Sequence, residues 1–78
     1  MNTETEQEIV RACAMSKKEL AQRYLPHLTP HSAVNRLMSW VQYNPRLVSD
    51  LEETGYRLRQ QMLTARQVEL IFRYLGTP

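Results

Sequence analysis

Two residue types that often build chemical sites are nearly absent from this sequence. Glycine occurs only at Gly55 and Gly76, so a glycine-rich loop that cradles a phosphate cannot be formed. Cys13 is the only cysteine, which excludes an intramolecular disulfide and a zinc site built from several cysteines. We expect Cys13 to be a small buried apolar residue, because free cysteine is among the most buried residue types.

Long apolar runs and catalytic residue patterns are also missing. No apolar run approaches the roughly 18 residues that a membrane-spanning helix needs. The sequence has no Ser-His-Asp pattern and no paired carboxylates, and Pro26 and Pro30 interrupt the segment that holds His27 and His31. We therefore expect no enzymatic activity, no metal and no cofactor. The N-terminal segment MNTETEQEIV is acidic and polar, unlike a signal peptide, so we expect a cytoplasmic protein without membrane association.

Charge is distributed unevenly along the chain. The net charge is +2, but Glu4, Glu6 and Glu8 all stand in the first eight residues, which contain no Lys or Arg. The remaining residues hold all 10 basic side chains and the other five of the 8 acidic ones. We predict a flexible acidic segment over residues 1–8 and a single folded domain over residues 9–78. The positive excess suits a polyanionic partner, but it is also common in proteins that bind no nucleic acid.

Four helices are predicted by residues that favour helix starts. A Ser, Thr or Asn side chain just before a helix caps it by accepting a backbone N–H. Two further signals support such a start: proline at the first helical position, and Glu or Gln three residues after the cap. The four starts are Ser16 with Glu19, Thr29-Pro30, Asn44-Pro45 and Thr64 with Gln67. The first, third and last helices are predicted to run to about Leu25, Thr54 and Leu75. Apolar residues at helical spacing, including Trp40 in the second helix, predict the core.

Two segments alternate between apolar and polar residues as strands do. Residues 9–15, IVRACAM, alternate loosely and could instead extend a helix, whereas residues 56–63, YRLRQQML, predict a strand. Because isolated strands are barely stable, we expect the two to pair as a small ribbon. The prediction is a mostly α (α+β) domain of about four helices with a two-stranded ribbon, in the order β-α-α-α-β-α.

The first two predicted helices have the ingredients of a helix-turn-helix. Ala21 is small where a second helix must cross, and the second helix has a polar outer face that could enter the major groove of DNA. The candidate contacts of this helix are His31, Ser32, Asn35, Arg36 and Ser39, with Asn35 suited to adenine and Arg36 to guanine or phosphate. Lys17 and Lys18 are predicted to point to solvent and contact phosphates. An ordinary amphipathic helix pair would produce much of the same pattern.

Two arginines on the predicted second strand could follow a phosphate backbone. Arg57 and Arg59 are two residues apart and share one side of that strand. Arginines on an exposed ribbon can contact phosphates as a wing does. The alternative is a charged strand edge that prevents aggregation between strands.

The chain resembles a family of small Bacteroides-type proteins, the domain-of-unknown-function family 4248. The likeness covers about residues 10–78 and lies in SKKELAQRYLP, TPHSAVNRLMSWV, NPRLVSDLEETGY and LTARQVELIFRYLGTP. Its anchors are Glu19-Leu20-Ala21, Tyr24, Pro26, Ala33, Leu37, Trp40, Gly55-Tyr56, Thr64, Val68, Ile71 and Leu75-Gly76. The family has no assigned activity, so the resemblance implies no catalytic residue.

A more distant resemblance is to compact Bacteroides DNA-binding proteins of helix-turn-helix type. Those proteins combine an ELA..Y helix, a second helix with tryptophan and a closing T..QV..IF..LG.P helix, which this sequence also contains. The sequence differs in a longer turn and in the additional NPRLVSDLEET helix. The resemblance implies a winged-helix-like or excisionase-like module. The leading functional hypothesis is therefore a double-stranded DNA-binding protein, and the alternative is a protein-interaction module, such as a homodimer, that binds no nucleic acid.

Overall fold

The computed structural model describes residues 12–78. The predicted flexible segment 1–8 and the first part of the predicted strand, residues 9–11, lie outside these residues. The elements are β1 (Met15–Ser16), α1 (Lys17–Tyr24), α2 (Pro30–Gln42), α3 (Pro45–Glu53), β2 (Met62–Leu63) and α4 (Ala65–Leu75). The mostly helical class and the order β-α-α-α-β-α are confirmed.

All four helix starts follow the predicted capping pattern. The cap side chains accept backbone N–H groups as follows: Ser16 from Glu19 at 3.0 Å, Thr29 from Ser32 at 3.3 Å, Asn44 from Leu47 at 3.2 Å and Thr64 from Gln67 at 3.2 Å. At α4 the box is reciprocal, because the Thr64 N–H donates to Gln67 Oε1 at 3.0 Å, whereas at α1 the Glu19 side chain does not accept from the Ser16 N–H, so only half of the box predicted there is formed. These bonds satisfy N–H groups that have no partner within the helix. Gly55 follows α3 with φ +89°, a conformation that suits glycine.

The strands are much shorter than predicted. They pair antiparallel with Met15 opposite Leu63 and Ser16 opposite Met62. Residues 12–14 of the first predicted strand lie outside β1, and residues 56–61 of the second are not a strand but change direction at a turn over residues 58–59. The backbone reverses there because the Gln60 N–H donates to the Arg57 carbonyl at 3.1 Å. Alternating residue types alone cannot distinguish such a turn from an extended strand.

One apolar core joins the four helices and both strands. Its fully buried members include Leu20, Leu37, Leu51, Leu63 and Ile71, one or more from nearly every element. None of the helices in residues 12–78 has the length and apolarity that crossing a bilayer requires.

Three side chains differ from their predicted environments. Trp40 is 36% exposed rather than buried, because it lies at the flank of the stripe centred on Ala33, Leu37 and Val41. Its ring and that of Tyr24 form a T-shaped pair with a centroid distance of 6.2 Å. Cys13 is exposed, since it precedes the paired residues of β1. Lys17, predicted to point to solvent, is only 5% exposed.

Candidate nucleic-acid interface

The predicted polar face of α2 lies on the surface. His31, Ser32, Asn35, Arg36 and Ser39 are all on the accessible side of the helix, whereas Ala33, Leu37 and Val41 bury the opposite side. Asn35 Nδ2 lies 3.3 Å from His31 Nε2, one turn away. This contact leaves the Asn35 carbonyl oxygen and one amide hydrogen able to pair with another molecule. A regular helix of 13 residues therefore presents a polar surface to solvent.

A surface groove brings Lys18 and His31 together. It is lined by Lys18 of α1, by Thr29, Pro30, His31 and Val34 at the start of α2, and by Gln61 just before β2. Lys18 and His31 are both exposed, and each can donate a hydrogen bond to an anion. Three segments that are distant in sequence thus border one polar surface.

The predicted arginine pair lies on a tight turn, here called the basic turn, residues 57–60. Two hydrogen bonds close it: the Gln60 N–H donates to the Arg57 carbonyl at 3.1 Å, and the Arg57 N–H donates to Gln60 Oε1 at 2.8 Å. Arg57, Leu58 and Arg59 are exposed. Arg57 and Arg59 are therefore placed on a turn, not on the strand predicted for them.

Lys17 of α1 forms hydrogen bonds with the basic turn and with the residue that follows it. Its ammonium Nζ donates to the Leu58 carbonyl at 2.6 Å and lies 5.3 Å from the centroid of the Tyr56 ring. Its backbone N–H donates to the Gln61 carbonyl at 2.9 Å. Burial lowers the pKa of Lys17, since desolvation disfavours the charged form. Lys17 is thus a positioning residue for the turn, and its ammonium is directed into the protein rather than towards solvent.

A buried glutamine connects the basic turn to α4. Gln67 is 2% exposed, and its Oε1 accepts from Gln60 Nε2 at 2.8 Å as well as from the Thr64 N–H. Its Nε2 donates to Thr54 Oγ1 at 2.9 Å. Within residues 12–78, no buried side-chain nitrogen or oxygen lacks a hydrogen-bond partner. Such fully satisfied networks make a loop rigid. Sequence reasoning identified Gln67 only as a capping residue and missed this second role.

Charge divides the molecule into two parts. The part formed by α1, α2 and the basic turn, here the basic half, contains Lys17, Lys18, Arg23, Arg36, Arg57 and Arg59 but only one acidic residue, Glu19. The part formed by α3 and α4, here the mixed-charge half, contains Arg46, Arg66 and Arg73 with Asp50, Glu52, Glu53 and Glu69. The positive excess of the described residues is therefore concentrated in one half.

The cations of the two halves also differ in their partners. Glu69 lies 3.2 Å from Arg66 and 3.6 Å from Arg73, so both arginines of α4 are paired. In the basic half, Arg23 pairs with Glu19 at 3.7 Å. Among the residues that the structure describes, Lys18, Arg36, Arg57 and Arg59 of the basic half form no ion pair, whereas in the mixed-charge half only Arg46 lacks one.

Comparison with known proteins identifies the family. A family model described as a domain of unknown function (DUF4248) matches residues 11–78. The chain belongs to this family. No curated protein and no solved structure matches the chain. The predicted family resemblance is confirmed, and the family description carries no activity, substrate or partner.

This DUF4248 member brings together some of the predicted site residues but not all of them. Lys18 and His31 share the groove, and the basic turn adjoins it through Gln61. Arg36 lies on a different flank of α2, about 100° around the helix from Asn35. In residues 12–78 of this DUF4248 chain, no group of three or more His, Cys, Asp or Glu side chains could hold a metal ion.

The connection between α1 and α2 is longer than the compact turn of a helix-turn-helix. Five residues, 25–29, separate the two helices, whereas that turn typically has about 3–4 residues. Gln22 Nε2 of the DUF4248 chain donates to the Leu28 carbonyl at 2.8 Å, and the Leu28 N–H donates to the Leu25 carbonyl at 3.2 Å. These bonds hold the longer connection against α1.

Proposed function

We propose that this protein binds double-stranded DNA and has no enzymatic activity. In this proposal α2 enters the major groove, which is about 12 Å wide and admits a helix of about 10–12 Å diameter. Lys18, Arg57 and Arg59 contact phosphates beside the helix. The binding would take place in the cytoplasm and serve a regulatory role or a mobile genetic element.

The observation that carries the proposal is the concentration of unpaired cations in the basic half. Lys18, Arg57 and Arg59 are exposed and have no carboxylate partner among residues 12–78. A cation that is already paired gains less from a phosphate, because it must give up its carboxylate first. Neutralising phosphates with free Lys and Arg releases counterions and supplies most of the affinity for non-specific DNA.

The exposed face of α2 provides residues that can read base edges. Asn35 can form two hydrogen bonds with adenine, and Arg36 can form two with guanine or contact a phosphate. His31, Ser32 and Ser39 add shorter polar groups to the same helix, which is 13 residues long. The ELA..Y pattern of α1 and the tryptophan of α2 are the sequence features that favour a helix-turn-helix module, although the connection between α1 and α2 is longer than in that motif.

Titration of a fluorescent duplex of mixed sequence at several salt concentrations tests the proposal. We compare Arg57→Ala/Arg59→Ala with Arg66→Ala/Arg73→Ala, which removes the same charge from the mixed-charge half. The first variant should weaken binding and reduce the slope of log K against log salt by about 1 unit for each phosphate that is no longer neutralised. The second variant should bind like the wild type.

Two results would contradict DNA binding through the basic half. One is a wild-type protein that shows no salt-dependent binding at about 50 mM salt, where electrostatic attraction to DNA is strong. The other is an equal loss of affinity in both double variants, which would show that only the total charge matters.

Exposed aromatic residues favour a second candidate function, a homodimer or another protein–protein interface. Tyr43 is 84% exposed directly after α2, and Trp40 is 36% exposed one turn earlier. Aromatic residues are enriched at protein interfaces. Sedimentation equilibrium distinguishes this alternative: a dimeric wild type that binds no DNA, together with a monomeric Tyr43→Ser variant, would replace the DNA-binding proposal.

A further inference from the structure

Leu58 occupies the exposed tip of the basic turn although the fold does not require an apolar residue there. Its side chain is 64% exposed and is not part of the core. Turns usually place Gly, Pro, Asn, Asp or Ser at their centre. No non-glycine residue among residues 12–78 has positive φ, so the backbone of this turn would also accept common polar residues. The fold therefore leaves the choice of residue at this tip open, and the surroundings of Leu58 decide what the leucine can contact.

The backbone that carries Leu58 is held in place on both sides. Lys17 Nζ donates to the Leu58 carbonyl at 2.6 Å, and the two hydrogen bonds between Arg57 and Gln60 close the turn. Gln60 is in turn bonded to buried Gln67. A side chain on a fixed backbone loses less conformational freedom on binding than one on a mobile loop.

The neighbours of Leu58 indicate the chemistry of the partner that it touches. Arg57 and Arg59 flank it, and neither forms an ion pair within residues 12–78. The occupant must therefore present anionic groups on both sides of an apolar slot. The minor groove of DNA offers this arrangement at a base step that opens, because phosphates line both walls and the apolar faces of the two bases become accessible between them. It is about 6 Å wide, too narrow for a helix.

We propose that the basic turn enters the minor groove and that Leu58 inserts between two adjacent base pairs. Apolar side chains inserted in this way partly unstack a base step and bend the duplex. Arg57 and Arg59 would lie against the groove walls, where a narrow minor groove attracts arginine. This inference rests on the proposed function, because it assigns a specific role to one contact of the same DNA complex.

Fluorescence of 2-aminopurine reports base unstacking directly. The probe is a mixed-sequence duplex in which 2-aminopurine replaces one adenine at a TA step, since such steps unstack easily. The wild-type protein should increase the emission at about 50 mM salt, where non-specific binding is strong. Leu58→Ala should still bind but lose the increase, and Leu58→Met should retain it. Met62→Ala is the matched control, because Met62 is a similarly exposed apolar residue at 58%.

Lys17→Met tests whether the hydrogen bond from Lys17 to the Leu58 carbonyl is needed for Leu58 to insert between base pairs. Methionine retains an apolar stem but cannot donate to the Leu58 carbonyl, so the emission increase should fall. The salt slope should stay at the wild-type value, because Lys17 is not a phosphate contact in this arrangement. Circular dichroism and thermal unfolding confirm that each variant is folded before its emission is interpreted.

The outcomes separate this inference from the proposed function. A wild type that binds with salt-dependent affinity but leaves the emission unchanged overturns the insertion of Leu58 and leaves DNA binding in place. The same holds if Leu58→Ala retains the full emission increase. A wild type that does not bind the duplex overturns both proposals.

Discussion

Both halves of the molecule carry arginines, but the surroundings of these arginines differ. In the mixed-charge half, Glu69 stands within 3.2 and 3.6 Å of Arg66 and Arg73 on the same helix. In the basic half, Arg57 and Arg59 stand on a turn without a carboxylate partner among the described residues. Pairs spaced three or four residues apart stabilise a helix by about 0.2–0.5 kcal/mol each. Arginines on the turn have no such local role.

This difference shows why total charge is a weak guide to a partner. A net charge of +2 describes the whole chain, yet most of the unpaired cations lie on one half of the fold. The halves are nevertheless not independent domains. The apolar core runs through both, and Gln67 of α4 reaches Gln60 in the basic turn. A substitution in the shared apolar core should have the largest effect, and one in the hydrogen-bond network of Gln67 a smaller effect. A substitution that alters the electrostatic surroundings of a single tyrosine should have the smallest.

The largest effect is expected from Ile71→Ala. Ile71 is 1% exposed in the shared core, and truncating such a residue leaves a cavity. The free energy of unfolding should fall by about 2–5 kcal/mol in urea titrations. Both halves should unfold in one transition, because they share that core. Leu58→Ala is the control and should change stability by no more than about 0.5 kcal/mol, since Leu58 is exposed. An unchanged urea midpoint for Ile71→Ala would show that α4 is not packed on the core.

A smaller effect is expected from Gln67→Leu. This change removes the partner of Gln60, Thr54 and the Thr64 N–H together. The free energy of unfolding should fall by about 1–3 kcal/mol, because buried polar groups lose their hydrogen bonds. Hydrogen exchange of the Arg57 amide should accelerate as the basic turn loosens.

The control for Gln67→Leu is Gln42→Leu, the same chemical change at an exposed position of α2. It should leave both the stability and the Arg57 exchange rate close to the wild type. If Gln67→Leu were as stable as the wild type with unchanged Arg57 exchange, the network would not connect the two halves.

The smallest effect compares one tyrosine from each half. Burial raises the pKa of Tyr24 to about 12, and its hydroxyl donates to the Gly76 carbonyl. The pKa of Tyr74 is raised first by its hydrogen bond to Asp50, 2.6 Å long, and then by burial. Asp50→Asn should therefore lower the pKa of Tyr74 and leave that of Tyr24 unchanged, as followed by tyrosinate absorbance. Equal shifts in both tyrosines would mean that a general unfolding step causes them.

The sign of the pH dependence follows from the raised pKa of Tyr24. Its folded-state pKa is above the ordinary value of 10.0, so the folded state keeps a proton that the unfolded state loses. The contribution of Tyr24 to the free energy of unfolding is fully present below about pH 10 and is lost between pH 10 and about 12. Tyr24→Phe should flatten this alkaline loss, which urea titrations at several pH values would detect.

Local signals in the sequence were sufficient for the helices. Thr29-Pro30, Asn44-Pro45 and the Thr64–Gln67 box each mark a helix start through bonds between neighbouring residues, and the structure has all of them. The buried side of α2, formed by Ala33, Leu37 and Val41, was equally predictable, because helical spacing alone puts these residues on one side of the helix. Features that depend on residues close in sequence can be predicted from sequence.

The details of the candidate site depend on contacts between distant residues. Lys17 is buried because residues 56–61 cover it, and nothing near Lys17 in the sequence indicates this. The predicted strand over 56–63 was wrong over residues 56–61, because the hydrogen bonds of Gln60 close a turn there. Tertiary contacts override such a pattern. The exposure of His31 was predictable, whereas the groove shared by Lys18, His31 and Gln61 was not.

The short pairing of β1 with β2 has a consequence for the order of folding. Met15 meets Leu63, and the Lys17 N–H meets the Gln61 carbonyl, so segments near opposite ends of the described chain must come together. Closing so long a loop is entropically costly and slow compared with forming local helical turns. On a ribosome, α1 and α2 are complete long before Leu63 is synthesised. The basic turn therefore reaches its position beside α1 only after Leu63 has been synthesised, and a nascent chain that stops before this residue lacks the assembled surface.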